Sequence, residues 1–120
     1  MRKTIITPRR NEIYTADLPV TSDSVQYGKR PVLIIQNNVG NTYSPTTIVV
    51  PLTSQFKKNM PTHVFISRKF GLPTDSLALC EQIMTIAIST LDEKLGKITE
   101  QTVIQKINAA LRCSIDLEEV

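Results

Sequence analysis

The sequence predicts a mainly β chain with accessory helical structure, an α+β arrangement built as one small β-barrel with a carboxyl-terminal helix. Three observations lead there. Short apolar or β-branched runs recur along most of the chain and are broken by Pro, Gly and Asn, as in small barrels. The apolar period changes to three- and four-residue steps only near the end, over Val103, Ile104, Ile107, Ala110, Leu111 and Ile115. At 120 residues, 41% of them hydrophobic and none of them Trp, the chain suffices for one mainly aliphatic core. Residues 1–120 are therefore read as a single domain, with residues 1–10 a flexible basic extension.

The first strand is expected over Glu12–Leu18, where Ile13, Thr15 and Asp17 alternate with Tyr14, Ala16 and Leu18 before Pro19 stops the run. Val20–Lys29 lacks periodicity and is rich in Ser, Asp and Gly, which reads as a mobile loop. Pro31–Gln36 is an aliphatic run suited to burial on both faces. Asn37-Asn38-Val39-Gly40-Asn41 is a turn-forming cluster, after which the β-branched run Thr46–Leu52 pairs back antiparallel. Further short strands are expected at Thr62–Ser67, Leu77–Leu79 and Gln82–Ile88. Thr99 is the expected cap of the final helix, which lays one apolar stripe over the barrel and exposes Gln101, Gln105, Lys106 and Arg112.

Charge is unevenly spread. Residues 1–70 carry ten basic and three acidic side chains, whereas residues 71–120 carry four basic and eight acidic ones. The first part therefore favours a polyanion or acidic partner, with the later acids solvated or turned away. No apolar run approaches the roughly 18 residues of a membrane span, and Met1–Pro8 lacks an apolar signal region, so a cytoplasmic location and no membrane partner are expected. Cys80 and Cys113 show no ligand or disulfide spacing and are expected as free, buried thiols.

The residues that invite chemistry are few. In Gly28-Lys29-Arg30-Pro31-Val32-Leu33-Ile34-Ile35-Gln36-Asn37 a permanently charged guanidinium stands at the mouth of a doubly buried strand. Such a rim Arg suits phosphate, because its fork of donors matches two phosphate oxygens. On the decapeptide alone, a surface arginine snorkelling from a strand end is the commoner explanation. The single imidazole, His63, has no partner at metal-ligand spacing, and a structural hydrogen bond suits it better than catalysis. No phosphate-binding Gly-rich loop and no G-x-S-x-G elbow is present, and neither a metal nor a cofactor is expected.

The blocks Glu12–Leu18, Gly28–Asn37, Gly40-Asn41, Ser44-Pro45-Thr46, Leu52-Thr53-Ser54, Pro61-Thr62-His63-Val64, Gly71-Leu72, Asp75-Ser76 and Glu81-Gln82-Ile83 resemble, in order and spacing, the MazF/PemK/Kid toxins of bacterial type II toxin–antitoxin pairs. The resemblance covers nearly the whole chain and is closest to the Gram-positive MazF branch. It implies a twisted, SH3-like small β-barrel. It also implies a metal-independent, sequence-specific endoribonuclease, or mRNA interferase, that cuts single-stranded RNA, works as a homodimer and is silenced by an antitoxin. Carried over by motif position, Arg30 and Thr53 are the catalytic pair, with products ending in a 2′,3′-cyclic phosphate and a 5′-hydroxyl. Glu81 stands where some relatives place a base candidate, and Gln82 is placed to read a base edge; ordinary polar positions at a strand start fit both equally well. RNA contacts are implied at Gln26, Lys29, Ser54, Lys57 and Lys58. The antitoxin is expected to lay an acidic, partly disordered segment over the basic groove, and operator DNA is a further partner of the pair.

Two departures stand out. Relatives usually continue Glu-Gln-Ile with Arg-Thr-Ile-Asp-Lys, whereas this chain has Met84-Thr85-Ile86-Ala87-Ile88. They also tend to carry Gly-Ser-Glu-Gln where this chain has Asp23-Ser24-Val25-Gln26. Loss of a cation at Met84 is expected to weaken phosphate affinity or alter the RNA register, and Val25 to change base preference. Alternatively, Met84, Ile86 and Ile88 bury against a partner subunit. Two other functions fit the same barrel: a gyrase-binding toxin of the CcdB type, and a catalytically weakened family member that binds antitoxin or DNA.

Overall fold

A computed structural model of the protein describes residues 6–22, 24–56 and 60–117. Seven strands, β1 (Glu12–Leu18), β2 (Gly28–Ile34), β3 (Thr46–Thr53), β4 (His63–Ile66), β5 (Ser76–Leu79), β6 (Met84–Ala87) and β7 (Leu91–Lys97), are joined by two α-helices, α1 (Asn38–Tyr43) and α2 (Gln101–Ser114). The antiparallel sheet runs β4-β5-β3-β2-β1-β7. β3 organises it, because one of its edges carries β2 while the other carries β6 along Thr46–Val49 and β5 at Leu52 and Thr53. The path stays open between β4 and β7. There the 3₁₀ turn Arg68–Phe70 and Gly71 pack onto β7 so closely that a Cβ on Gly96 would lie 1.8 Å from the Phe70 carbonyl oxygen.

The aliphatic runs of β1, β2 and β3 are explained by burial on both sheet faces. Ile13, Leu33, Val50 and Leu52 face one cluster with Val64, Ile66, Ala78, Ile98 and the α2 residues Ile107 and Ala110. Tyr14, Ala16, Val32, Ile34 and Val49 face a second with Ile86 and Leu91. Each such side chain, fully buried, stabilises the fold by about 1.5–3 kcal/mol before the entropy of ordering is subtracted. The α2 stripe covers the first cluster as expected, except that Ile115 is exposed.

Several expectations are corrected. The hairpin ladder runs on through Asp17↔Lys29 and Leu18↔Gly28, so Gly28 and Lys29 belong to β2 rather than to the loop, and Arg30 lies inside the strand instead of at its mouth. The Asn-rich cluster is helical, because the Asn37 side chain caps α1 by accepting from the Gly40 amide at 2.8 Å. The buried Asn41 then ties α1 to the sheet: it donates to the Gln36 carbonyl and accepts from the Thr47 hydroxyl at 2.7 Å. β7 is a strand that the residue pattern does not predict, and its charged residues suit a sheet edge. The α2 cap position is Glu100 rather than Thr99, and its carboxylate pairs with Lys69 instead of capping the helix. Cys80 is buried, whereas Cys113 is exposed. Of the amino-terminal extension, residues 1–5 fall outside the described residues. Arg9 and Arg10 are tied down, the Arg10 guanidinium donating to the Ile35 carbonyl at 2.9 Å and to Asn108 at 2.8 Å.

Candidate functional site

β2 and β3 position the site. Their paired stretch, Val32↔Pro51, Leu33↔Val50 and Ile34↔Val49, ends toward the side of the sheet where Arg30, two residues before Val32, and Thr53, two residues after Pro51, both lie. Both residues line a cavity of about 300 Å³ together with Gln26, Lys29, Ser54 and Gln55. Pro31, Leu52, Pro73 and Ser76 close its walls. The two side chains singled out on motif grounds thus share one opening, as do three of the five expected RNA contacts. The remaining two, Lys57 and Lys58, lie outside the described residues.

The geometry of each side chain limits what it can do. Arg30 donates from Nε to the Tyr27 carbonyl at 2.8 Å. That bond fixes the plane of the guanidinium and leaves its two terminal nitrogens without a partner among the described residues, an edge suited to two phosphate oxygens. Thr53 is buried at the base of the cavity, and its Oγ1 accepts from the Gln55 amide at 3.1 Å. Its hydroxyl proton stays available to a ligand in the opening. Lys29 reaches across to Asp92 at 2.9 Å, and the hydrogen bond to Asp92 holds its pKa above the usual lysine value.

Glu81 and Gln82 stand apart from this cavity, on the connection between β5 and β6. One Glu81 oxygen accepts from the Thr62 hydroxyl at 3.1 Å, and the other lies 3.2 Å from Nε2 of the buried His63 ring. His63 thus has the structural hydrogen bond expected of it, although its buried Nδ1 has no partner among the described residues. Gln82 uses both ends of its amide: Oε1 accepts from the Gln26 backbone nitrogen at 2.9 Å, and Nε2 donates to the Ser24 carbonyl at 3.1 Å. A second cavity of about 360 Å³ lies here, lined by Pro19, Val25, Gln26, Gln82, Ile83 and Met84 among others. Gln26 lines both openings.

Two readings of the surface change. Ile86 belongs to the second core cluster, with Met84 and Ile88 packed against it, so this aliphatic strip is in large part consumed by the chain's own core. The later acids do not all turn away from the basic half either, since Asp92 pairs with Lys29 and Glu100 with Lys69. Away from the cavities, Glu12 is a buried acid that accepts from the Arg9 amide at 2.7 Å and the Tyr14 hydroxyl at 3.0 Å, and meets Lys94 at 2.7 Å. Burial pulls its pKa upward, but Lys94, the Arg9 amide and Tyr14 together outweigh that and leave it below the usual carboxylate value. Burial, with Glu12 as neighbour, pushes Tyr14 up to about 12. Burial likewise raises the Cys80 thiol to about 12, which makes it unreactive.

The sequence pattern of the PemK-like, MazF-like toxins of type II toxin–antitoxin systems matches residues 9–115, and the chain belongs to this family. Among individual relatives, it is 41% identical to Endoribonuclease EndoA of Bacillus subtilis over 111 residues, covering 91% of this chain and 95% of that protein. It is 42% identical to Endoribonuclease MazF of Staphylococcus saprophyticus over 114 residues, covering 93% and 94% respectively. Among solved structures, it matches an endoribonuclease in complex with its cognate antitoxin from a mycobacterial species, with a TM-score of 0.77 and 28% identity over 94% of this chain and 99% of that one.

Proposed function

We propose that this protein is the toxin of a type II toxin–antitoxin pair and acts as a sequence-specific endoribonuclease on single-stranded RNA. The observation that carries this reading is that Arg30 and Thr53 line one opening, with no partner for the guanidinium's terminal nitrogens among the described residues. RNA brings its own nucleophile, the 2′-hydroxyl. Cleavage therefore asks the protein to align that oxygen with the adjacent phosphorus and to stabilise the charge growing on the phosphoryl oxygens. Arg30 supplies the charge with a two-pronged contact. The Thr53 hydroxyl has far too high a pKa to act as a base at neutral pH, so it positions the phosphate or donates its proton to it. The chain is cut as the 2′-hydroxyl releases its proton and its oxygen bonds to phosphorus while the bond from phosphorus to the 5′-oxygen breaks and that oxygen takes up a proton, giving a 2′,3′-cyclic phosphate and a 5′-hydroxyl end with no net proton change.

Gln26, Lys29 and Ser54, which line the same opening, are the RNA contacts in this reading, with Lys57 and Lys58 on the connection that follows. We read the whole chain as one such toxin domain, working as a homodimer in the cytoplasm, where its RNA substrate is found. No helix among the described residues is long and apolar enough to cross a membrane. The partner antitoxin covers the basic opening with an acidic segment, and the pair binds operator DNA.

The test is incubation of purified protein with a long single-stranded RNA in EDTA, beside a gyrase assay. Discrete cuts with 5′-hydroxyl ends are expected, lost in Arg30→Ala and blocked by a 2′-deoxy nucleotide at the cut site. Gyrase arrest without RNA cleavage would overturn the assignment in favour of a gyrase-binding toxin, and neither effect would indicate a weakened, binding-only relative.

A further inference from the structure

The connection between β1 and β2 carries Gln26, which lines both cavities, and Tyr27, whose carbonyl holds Arg30. The Gln82 side chain ties this connection to a distant part of the chain through two bonds, to the Gln26 amide at 2.9 Å and to the Ser24 carbonyl at 3.1 Å. They span 56 and 58 positions of sequence, from the turn before β6 to the hairpin loop.

We propose that Gln82 is a positioning residue that clamps the β1–β2 connection and so fixes the aim of Arg30, rather than a reader of RNA bases. The chemistry of the amide supports this. A glutamine reading a base edge needs its carbonyl and its amino group directed at the base. Here an amide N–H must meet Oε1 and a carbonyl must meet Nε2, which sets the side-chain orientation and leaves only one amino hydrogen and one lone pair over. The clamp is itself anchored. The Gln82 backbone N–H donates to the Leu79 carbonyl at 3.0 Å, and the neighbouring Glu81 carboxylate is held by Thr62 and His63. A rigid turn between β5 and β6 thus fixes the loop at Ser24 and Gln26. One residue later the Tyr27 carbonyl receives Arg30 Nε, and Gly28, with φ of +79°, turns the chain into β2. A glutamine elsewhere in the molecule thereby controls where two guanidinium nitrogens point.

The kinetic part of this proposal rests on the endoribonuclease reading; the clamp itself does not. The experiment compares wild type with Gln82→Met, which keeps the side chain's volume and removes both bonds, and with Gln82→Ala. Amide hydrogen exchange is followed at residues 24–27 on the protein alone, and kcat, KM and the cleaved sequence are measured on a short single-site RNA. Faster exchange at the Gln26 amide is expected in both variants. A kcat about tenfold or more lower is expected with them, as for a modest misplacement of a reacting group, with KM within about threefold of wild type and the cleaved sequence unchanged. Unaltered exchange overturns the clamp, and faster exchange with unaltered kcat overturns its link to Arg30. An altered cleavage sequence with kcat preserved overturns the proposal in favour of base reading. If the wild-type protein cuts no RNA, the nuclease reading falls, and hydrogen exchange alone still decides the clamp.

Discussion

Arg30 and Thr53 line one opening with no hydrogen bond between them among the described residues: the guanidinium is held by Tyr27 and the hydroxyl by Gln55. Each side chain is therefore preset by the backbone of a different loop, and the space between them is left for a ligand. Preset donors stabilise developing charge without reorganising during the reaction. Under the proposed mechanism, Arg30→Ala lowers kcat by about 10²–10³-fold, and Arg30→Lys recovers little because a lone ammonium cannot bridge two oxygens. Thr53→Val, which keeps the shape and deletes the hydroxyl, lowers kcat by about 10²-fold, whereas Thr53→Ser retains most activity. Single-turnover cleavage of a labelled RNA, with thermal melting to confirm folding, checks all four values.

Glu81 gives a sharper contrast. A catalytic base must be free to take a proton, but both oxygens of Glu81 face Thr62 and His63. Glu81→Gln can keep a donor–acceptor contact to each, so kcat is expected within about fivefold of wild type with the same pH profile, far from the 10²-fold or greater loss of a missing base. Loss of the acidic limb of that profile in the variant would return the base role to Glu81.

The Glu12 cluster makes stability depend on pH at both ends of the scale. The folded pKa of Glu12 lies below its unfolded value, so its contribution is present above the ordinary carboxylate range and is lost as pH falls through the folded value. The Tyr14 hydroxyl is shifted the other way, from 10.0 to about 12, so its contribution is present below about 10 and is lost as pH rises through about 12. Glu12→Gln should cost about 1–3 kcal/mol at neutral pH, because a buried carboxylate with three partners is replaced. The variant should also flatten the acid limb. Urea unfolding of both proteins from pH 3 to 8 measures the cost and the slope.

How much of this was legible in the sequence depends on where the information lies. β1 was legible to the residue because alternation from Glu12 to Leu18 is a local pattern, and the double burial of β2 and β3 followed from their aliphatic runs. β7 was not, because Leu91–Lys97 owes its conformation to pairing with β1 rather than to its own charged residues. α1 was missed since Asn and Gly favour turns, and only the Asn37 cap and the buried Asn41 tip the balance. At the site, the resemblance to a known family implies that Arg30 and Thr53 work together, and the two do line one opening. The engagement of Gln82 with a loop backbone could not be anticipated, because a side chain bonded to distant main-chain atoms leaves no trace in residue types.

Gly96 tests how the open sheet is held shut. A Cβ there would sit 1.8 Å from the Phe70 carbonyl oxygen, and one on Gly71 would sit 2.0 Å from the Leu95 carbonyl oxygen at a φ of +109°. These neighbours are backbone and cannot swing aside. Gly96→Ala should therefore destabilise by about 1–3 kcal/mol through overpacking, and Gly71→Ala by a similar or larger amount because strain is added. Denaturant midpoints measure both, and changes below about 0.5 kcal/mol would mean that the 3₁₀ turn and β7 separate freely.

The last prediction concerns the strip from Met84 to Ile88. Met84 packs on the second core cluster and also lines the cavity shared with Val25, Gln26 and Gln82. An arginine introduced there can leave its aliphatic stem on the cluster and extend its head to solvent, so Met84→Arg should fold. If RNA crosses from the Arg30 opening toward this cavity, the new cation gains one phosphate. Each phosphate neutralised on a single strand steepens the dependence of log K on log salt by about 0.7. Binding of a 2′-deoxy-blocked RNA, titrated between 50 and 400 mM salt, should therefore show a slope steeper by about 0.7 for Met84→Arg than for wild type, with tighter binding at low salt. An unchanged slope would place the strip off the RNA path.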